Sequence, residues 1–348
     1  MTDEQQRLET SAPASSDSPR SVAERILWVA YKYGLLIVLG AMILYFADTE
    51  EAFGTWRNTL VVLQSVAIVA IVAIGVTVSL VVDGFDLSIG SNVGFVVMLT
   101  ALAMVRFELP GPVAVLLALA AGALIGLFNG FLIVKARVPD LLATLGTLFV
   151  LEGLALIMTS GQSVAAGMTV GGKITEGRFT NDFLWLGRGK VLGVPVPVII
   201  MIALAIGMVV FLNRTRWGRI LYAIGGNREA ARLAGIRVNR YRVLAYVISG
   251  VFASIGGILL SARLGRGDVG AGAPLLLEAV AAALIGFAVL GANRPNAFGS
   301  AIGALFVGVM LNGLTMKNAP YYTQDFVKGT LLVAALVLSF SVVFRKER

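Results

Sequence analysis

Long apolar runs separated by short polar segments dominate the chain. A helix needs about 20 mostly apolar residues to cross a bilayer. The pattern predicts ten transmembrane helices, at Trp28–Phe46, Leu60–Val82, Ile89–Val105, Val113–Val134, Leu141–Met158, Val194–Leu212, Val243–Ala262, Pro274–Gly291, Phe298–Met316 and Phe326–Phe344. The third, eighth and ninth runs are short or rich in glycine, which is also typical of broken or re-entrant helices. The expected fold class is therefore all-α, a polytopic membrane protein with about ten transmembrane helices.

Composition narrows the chemistry that the chain can perform. Of its 348 residues 57% are hydrophobic and 14% are charged, whereas soluble domains carry about 25% charge. The chain contains no cysteine and no histidine, which excludes disulfides, thiol chemistry, a Ser-His-Asp triad and an HExxH zinc site. We therefore expect no catalytic residues, no metal site and no cofactor of its own. The formal net charge of +8 is typical of cytoplasmic loops in a membrane protein, so no nucleic-acid partner is expected.

The distribution of basic residues predicts the orientation. The segment 213–242 carries eight arginines and one acid, Glu229, so it is placed in the cytoplasm, with both chain termini on the same side. The acidic loop around Asp48 and the long loop from about 160 to 193 then lie outside. Residues 1–24 are polar and lack the apolar core of a signal peptide. They are predicted to form a disordered cytoplasmic tail, which leaves 25–348 as the transmembrane domain.

Two distant segments resemble each other. Gly122-Ala-Leu, Asn129-Gly130, Lys135 and Pro139 are matched in order by Gly303-Ala-Leu, Asn312-Gly313, Lys317 and Pro320. Five predicted spans separate the two copies, so they cross in opposite directions, which is typical of transporters built from inverted repeats. An inverted 5+5 repeat is one interpretation, and a chance likeness between two helices rich in glycine and alanine is the other.

Polar residues inside the apolar runs are the first candidates for function. Asp83, Asp86 and Ser88 lie in a tight turn between the second and third spans. A carboxylate near the bilayer centre costs about 3 kcal/mol, so such groups usually face a cavity or a partner. The turn has a second interpretation, in which Asp86 and Ser88 cap the next helix.

Four further polar residues lie within the spans themselves. They are Glu152, Glu278, Asn129 and Asn312. One interpretation is that they line a solute path together with the turn. The alternative is structural hydrogen bonding between helices.

The basic segment contains the run from Gly225 to Ile236. Asn227 suits a helix N-cap, Glu229 suits the first turn, and Gly235 suits the left-handed position after the last turn. A short, doubly capped helix outside the membrane is therefore predicted. It would fit a groove on another protein or bind anionic lipid headgroups.

Two segments resemble nucleotide-binding motifs, Gly167–Lys173 and Gly265–Gly270. Neither follows a predicted strand, and the first lacks the Ser or Thr that holds magnesium, so no ATP site is expected in this chain.

These residues carry a family resemblance. The run from Gly218 to Asn239 closely resembles the coupling segment of ribose/xylose/arabinose-type ABC importer permeases, and the turn Asp86–Ser91 is similar to that family's other hallmark. The resemblance implies a bacterial inner-membrane permease dimer that pairs with cytoplasmic ATPases, which bind the ATP, and with an extracytoplasmic solute-binding protein. It also implies an ATPase-coupling helix formed by Gly226, Asn227, Glu229, Ala230, Ala231 and Gly235.

One region departs from the family pattern. Phe287 follows Gly286 where the family has a glycine pair, and the later pair is replaced by Gly291-Ala292-Asn293-Arg294-Pro295-Asn296. The departure leaves open a divergent solute or one half of a heterodimer. Within transport, a polyol, a nucleoside, a branched-chain amino acid or a signalling furanone stays an alternative to a sugar. An ion-coupled secondary transporter and a structural or sensory membrane protein are the rivals from other classes.

Overall fold

The computed structural model describes residues 22–170, 172–287, 294–320, 322–330 and 333. In this part of the chain helices dominate, because a helix satisfies its backbone hydrogen bonds within the apolar runs. They are α1 Val22–Thr49, α2 Trp56–Val81, α3 Ile89–Ala101, α4 Gly111–Val134, α5 Asp140–Thr159, α6 Asn181–Arg188, α7 Val196–Arg214, α8 Arg216–Gly226, α9 Arg228–Leu233, α10 Val238–Leu264, α11 Ala273–Ile285 and α12 Ala297–Met316. A π-helical turn, Leu102–Arg106, continues α3, and residues 322–330 are also helical.

Two small antiparallel hairpins lie between α5 and α7. Strands β1 Thr169–Val170 and β2 Lys173–Ile174 form the first. Strands β3 Lys190–Val191 and β4 Val194–Pro195 form the second, with Lys190 opposite Pro195. Because α6 lies between the hairpins, the long predicted loop is a structured element rather than a bare connection.

Seven helices of the described residues are long and apolar enough to cross a membrane: α2, α3 with its π-helical turn, α4, α5, α7, α10 and α12. They confirm an all-α polytopic membrane protein, and they match seven of the predicted spans to within a few residues at each end. The total of ten is not confirmed. The first predicted span lies in α1, whose apolar part is Tyr33–Thr49, and the eighth predicted span corresponds to the 13-residue α11.

Some predicted boundaries fall on or beyond the described ranges. Helix α1 begins at Val22, so the last three residues of the predicted tail 1–24 are helical, and the rest lies outside the described residues. The predicted eighth span extends to Gly291, but α11 ends at Ile285 and residues 288–291 are not described. Most of the tenth predicted span is also outside the described residues.

The core is built around α2 and α10, which pack against each other. Helices α3 and α4 pack on α10, while α11 and α12 pack on α2. In the most apolar window of α2, 78% of residues are buried, against 28% in α4, α5 and α7. The outer helices therefore keep apolar faces for lipid or for another subunit.

Glycines allow α4 to lie directly against α10. A Cβ atom on Gly122 would overlap the Ser254 hydroxyl and the Gly250 carbonyl oxygen, and one on Gly126 would overlap the Tyr246 carbonyl oxygen. Small residues permit this close backbone approach in membrane helices. The spacing Gly122, Gly126 and Gly130 places all three glycines on one helix face.

Candidate functional site

The turn between α2 and α3 buries a carboxylate. Asp86 is 1% exposed. Its Oδ1 accepts hydrogen bonds from the backbone N–H of Ser88 at 3.0 Å and from the Ser88 hydroxyl at 2.6 Å, and its Oδ2 accepts from the Ser249 hydroxyl at 2.7 Å. Burial raises the pKa of Asp86, while the hydrogen bonds from Ser88 and Ser249 lower it. These three bonds meet the condition under which a buried polar group is tolerated.

The capping interpretation of this turn is wrong for the Ser88 side chain. Ser88 occupies the N-cap position of α3, but its side chain makes no capping hydrogen bond. The hydroxyl donates to Asp86 instead and accepts from Asn129 Nδ2 on α4 at 2.8 Å. The structure therefore brings Asp86, Ser88 and Asn129 into one buried network. Sequence reasoning missed Ser249, since its partner depends on how α10 packs against the turn.

Asp83, three residues earlier, faces outward. Its side chain is 73% exposed and lies 3.2 Å from the Arg228 guanidinium. The same guanidinium donates to the carbonyl oxygens of Val82, at 3.3 Å, and of Asp83. A Cβ atom on Gly225 would overlap the Val81 carbonyl oxygen. The segment 213–242, called the coupling segment below, thus contacts the C-terminal end of α2.

The predicted short helix in the coupling segment is α9. The Asn227 side chain accepts a hydrogen bond from the backbone N–H of Ala230 at 2.9 Å, as an N-cap does, and Glu229 pairs with Arg232 at 2.6 Å. Gly235 has the positive φ of 81° expected after the last turn. Gly226 ends α8 and, like Ala230, is exposed, but Ala231 is buried against its own chain. The large apolar residue that α9 exposes is Leu233, at 81%.

Tyr222 connects the coupling segment to the start of α12. Its hydroxyl donates to the Pro295 carbonyl oxygen at 2.7 Å, and the Arg294 guanidinium lies 4.7 Å from the centre of its ring. Burial raises the pKa of Tyr222, an effect that Arg294 opposes. Arg294 and Pro295 belong to the stretch that departs from the family pattern, so that stretch contacts α8 directly.

A second polar cluster lies beside the turn and was not predicted. Asp140, at the start of α5, accepts from the Arg242 guanidinium at 2.7 and 2.9 Å and from the Tyr246 hydroxyl at 2.7 Å. The Thr144 hydroxyl donates to the Phe85 carbonyl oxygen at 3.2 Å. The only sequence signal was an acid and an arginine at the ends of two apolar runs. That the two residues pair could be predicted only by knowing that their helices are neighbours.

Glu152 lies apart from both clusters. It is exposed on α5 and lines a cavity of about 260 Å³. Other lining residues include Ser91, Phe95 and Asp268. Close by, Gly90 on α3 meets Gly272, just before α11, so tightly that a Cβ on Gly272 would overlap the Gly90 carbonyl oxygen. The ends of two short helices therefore meet beside this cavity.

Asn312 and Glu278 both bond to neighbouring helices. Asn312 and Asn58 exchange side-chain hydrogen bonds at 3.1 and 3.2 Å, so the structural alternative describes Asn312. Glu278 on α11 lies 3.2 Å from the Lys328 ammonium, and both side chains are 14% exposed. Lys328 also lies 3.6 Å from Asp325. Lys328 was missed because the tenth span was judged only by its apolar residues.

We predict that Glu278→Lys alone destabilises the protein by about 3–5 kcal/mol, since removing one partner of a buried ion pair leaves an uncompensated charge. The double variant Glu278→Lys with Lys328→Glu should recover most of that loss. Thermal midpoints of the purified protein in detergent measure both effects. Additive losses in the double variant would show that the pair does not hold α11 against residues 322–330.

The chain is similar to known proteins over most of its length. The profile of the family described as branched-chain amino acid transport system / permease component matches residues 58–336. The ribose import permease protein of Escherichia coli K12 is 35% identical over 303 residues, which cover 87% of this chain and 92% of that protein. The xylose transport system permease protein of Haemophilus influenzae is 30% identical over 359 residues, covering 89% and 96%. No solved structure matches the chain significantly.

Proposed function

The chain belongs to the family described as branched-chain amino acid transport system / permease component, and we propose that it is the permease subunit of a binding-protein-dependent ABC importer. It is a multi-pass inner-membrane protein. The proposed solute is a sugar or a similar small polar molecule, because curated relatives are named for ribose and xylose. A polyol, a nucleoside or another small solute is the alternative within the same machine.

The observation that carries the proposal is the coupling segment. It holds a capped helix with an exposed Leu233, and its Arg228 contacts the end of α2. A surface helix that presents a small apolar contact to a groove is a common recognition mode between proteins. We propose that Gly226, Asn227, Glu229, Ala230, Ala231 and Gly235 shape the socket for the cytoplasmic ATPase, with Leu233 as an additional contact.

In the proposed mechanism, a loaded solute-binding protein docks outside and ATP closes the ATPase pair inside. The coupling segment moves with the ATPase and, through Arg228, displaces the turn that holds Asp83, Asp86 and Ser88. Such coupling requires contacts that differ between the two states of the transporter. ATP binds to the partner subunits, so the permease is not itself a catalyst and needs no cofactor.

The proposed solute path passes the cavity beside Glu152. Its carboxylate and that of Asp268 can accept hydrogen bonds from solute hydroxyls, and Phe95 offers an apolar surface. The network of Asp86, Ser88 and Asn129 is proposed to fix the start of α3, which lines the same cavity through Ser91. Glu278 and Asn312 are proposed to contribute by holding helices together, since both have partners in neighbouring helices.

Helix packing supports an inverted 5+5 repeat within this proposal. Helices α2, α3 and α4 are the second to fourth predicted spans, and α10, α11 and α12 correspond to the seventh to ninth. A 5+5 repeat therefore relates α2 to α10, α3 to α11 and α4 to α12. The packing of α4 on α10 then corresponds to that of α12 on α2, and the packing of α3 on α10 to that of α11 on α2. A chance likeness between two glycine-rich sequences gives no reason for such correspondence.

A cysteine at Leu233 should cross-link to a co-expressed ATPase subunit. The chain has no native cysteine, so the new thiol is unique, and Leu233 is far more exposed than Ala231. A cysteine at Ile174, which is 72% exposed on the first hairpin, is the matched control and should not react with the ATPase. The proposal fails if no ATPase is captured at Leu233, whereas transport driven by a proton or sodium gradient would favour a secondary transporter.

The charge of the socket gives a second readout. Glu229→Arg places a cation where the helix dipole favours an acid and removes the partner of Arg232. In the reconstituted complex it should lower ATP hydrolysis stimulated by the loaded binding protein about tenfold, in line with interface residues worth more than 1 kcal/mol. Stimulation that stays intact would mean that α9 is not the socket.

A second permease copy, identical or related, completes the proposed complex within membrane lipid.

A further inference from the structure

Each of the two central helices ends against an arginine from a surface helix. Arg228 donates to the carbonyl oxygens of Val82 and Asp83 at the end of α2. At the end of α10, Arg188 donates through Nε to the Arg263 carbonyl oxygen and through a terminal nitrogen to the Leu264 carbonyl oxygen, both at 2.8 Å. The last carbonyls of a helix lack partners within the helix, and a cation complements its dipole there. Each arginine therefore ties a surface helix to one central helix.

A glycine lies beside each of these arginine contacts. A Cβ atom on Gly225 would overlap the Val81 carbonyl oxygen, and one on Gly187 would overlap the backbone of Ala262 and Arg263. The surface helices α8 and α6 thus lie in backbone contact with α2 and α10. A displacement of the surface helix should therefore move the central helix with it, because no flexible side chain separates the two backbones.

The two contacts lie at opposite faces of the protein. Helix α10 begins at Val238, directly after the coupling segment, and its 27 residues span about 40 Å at 1.5 Å per residue. Its C-terminal end, with Arg188 and α6, is therefore far from the coupling segment. In the predicted orientation this end faces the outside. There α6 contacts the end of α10, as the coupling segment contacts the end of α2 on the cytoplasmic side.

The surface around α6 exposes apolar side chains. Trp185 on α6 is 48% exposed, and Leu192, at the tip of the β3–β4 hairpin, is 99% exposed. Leu192, with a φ of 50°, and Gly193, with a φ of 81°, form the two-residue loop of this hairpin, as the two central residues of a type I′ turn do. The hydrogen bond from the backbone N–H of Val196 to the Gly189 carbonyl oxygen, at 2.9 Å, closes the base of the hairpin directly after α6.

We propose that α6 and the β3–β4 hairpin form the docking surface for the soluble solute-binding protein, and that Arg188 relays its docking to α10. The inference rests on the proposed function, because it takes the partner from there. Trp185 and Leu192 are the apolar anchors, and the exposed polar residues Asn181, Asp182 and Lys190 form the rim. An apolar centre within a polar rim is typical of a protein–protein contact.

The experiment uses the full complex reconstituted in nanodiscs, with its solute-binding protein loaded with ribose as the probe solute. Leu192→Asp should weaken binding of that protein at least about tenfold, since it buries an unpaired carboxylate in an apolar contact. Ile174→Asp, on the neighbouring hairpin, is the matched control and should bind like wild type. Biolayer interferometry measures both dissociation constants. Equal affinities for Leu192→Asp and wild type would overturn the proposed docking surface.

The relay has a separate readout. Arg188→Gln should keep the affinity for the binding protein within about threefold, yet lower the ratio of stimulated to unstimulated ATP hydrolysis at least about fivefold, because contacts that act through kcat leave binding intact. Arg188→Lys keeps the charge but not the two-nitrogen contact, so its ratio of stimulated to unstimulated hydrolysis should lie between those of Arg188→Gln and wild type. An unchanged ratio in both variants would overturn the relay. If the binding protein fails to stimulate wild-type hydrolysis, the proposed function fails instead.

Discussion

Asp86→Leu is expected to abolish solute uptake and to lower the stability of the purified permease. The leucine leaves the backbone N–H of Ser88 and the hydroxyls of Ser88 and Ser249 without their acceptor. A buried donor without a partner costs about 1–3 kcal/mol, which is a large part of a typical stability of about 5–15 kcal/mol. Uptake of radiolabelled solute by vesicles, together with the thermal midpoint in detergent, measures the two effects.

Asp86→Asn is the matched comparison for this prediction. The amide oxygen can still accept from Ser88, and the amide nitrogen can donate to the Ser249 hydroxyl, whose own donor then turns away. We therefore expect a thermal midpoint between those of wild type and Asp86→Leu. If Asp86→Leu keeps wild-type stability and uptake, the buried network neither holds the start of α3 nor contributes to transport.

The hydrophobic pattern predicted seven of the spans well because length and continuous apolarity suffice for a helix such as α2. The caps of α9 were predictable for a similar reason, since Asn227 and Gly235 act within a few residues of themselves. The eighth span was harder to place. Its apolar run from Pro274 to Gly291 is long enough for a crossing, but the helix ends at Ile285.

The contacts between distant helices could not be predicted in the same way. Asp140 pairs with Arg242 across 102 positions, and Asp86 with Ser249 across 163. Nothing local to either residue specifies which helix lies beside it. Glu278 shows the consequence. The sequence placed it correctly in an apolar helix, but its partner Lys328 decides whether it serves a solute path or helix packing.

The relay proposed for Arg188 was missed for a related reason. The long segment before α7 has no extended apolar run, so it read as a loop, and an exposed arginine in a loop gives no signal. The role of Arg188 can be inferred only from the tertiary structure, in which Arg188 bonds to the end of α10 as Arg228 bonds to the end of α2. Both arginines bond carbonyl oxygens at the C-terminal end of a central helix, one at each face of the protein.

Gly250→Leu is expected to prevent recovery of folded protein. A Cβ atom on Gly250 would overlap the Gly122 carbonyl oxygen and approach the Gly126 backbone nitrogen to 3.1 Å. Backbone atoms cannot rotate away, so α4 would have to separate from α10 along most of their contact. Overpacking in a core usually costs about 1–3 kcal/mol even where side chains can adjust, and the loss here should exceed that range. Fluorescence-detected size-exclusion chromatography of a tagged permease measures the monodisperse yield.

Gly207→Leu is the matched control, because it makes the same change in another apolar helix. A Cβ atom on Gly207 meets nothing within 4 Å, so the leucine extends from the outer surface of α7 and the yield should stay near wild type. A low yield for both variants would mean that leucine in any membrane helix is harmful here. A normal yield for Gly250→Leu would mean that α4 and α10 can separate without loss of the fold, and the central position assigned to α10 would have to be abandoned.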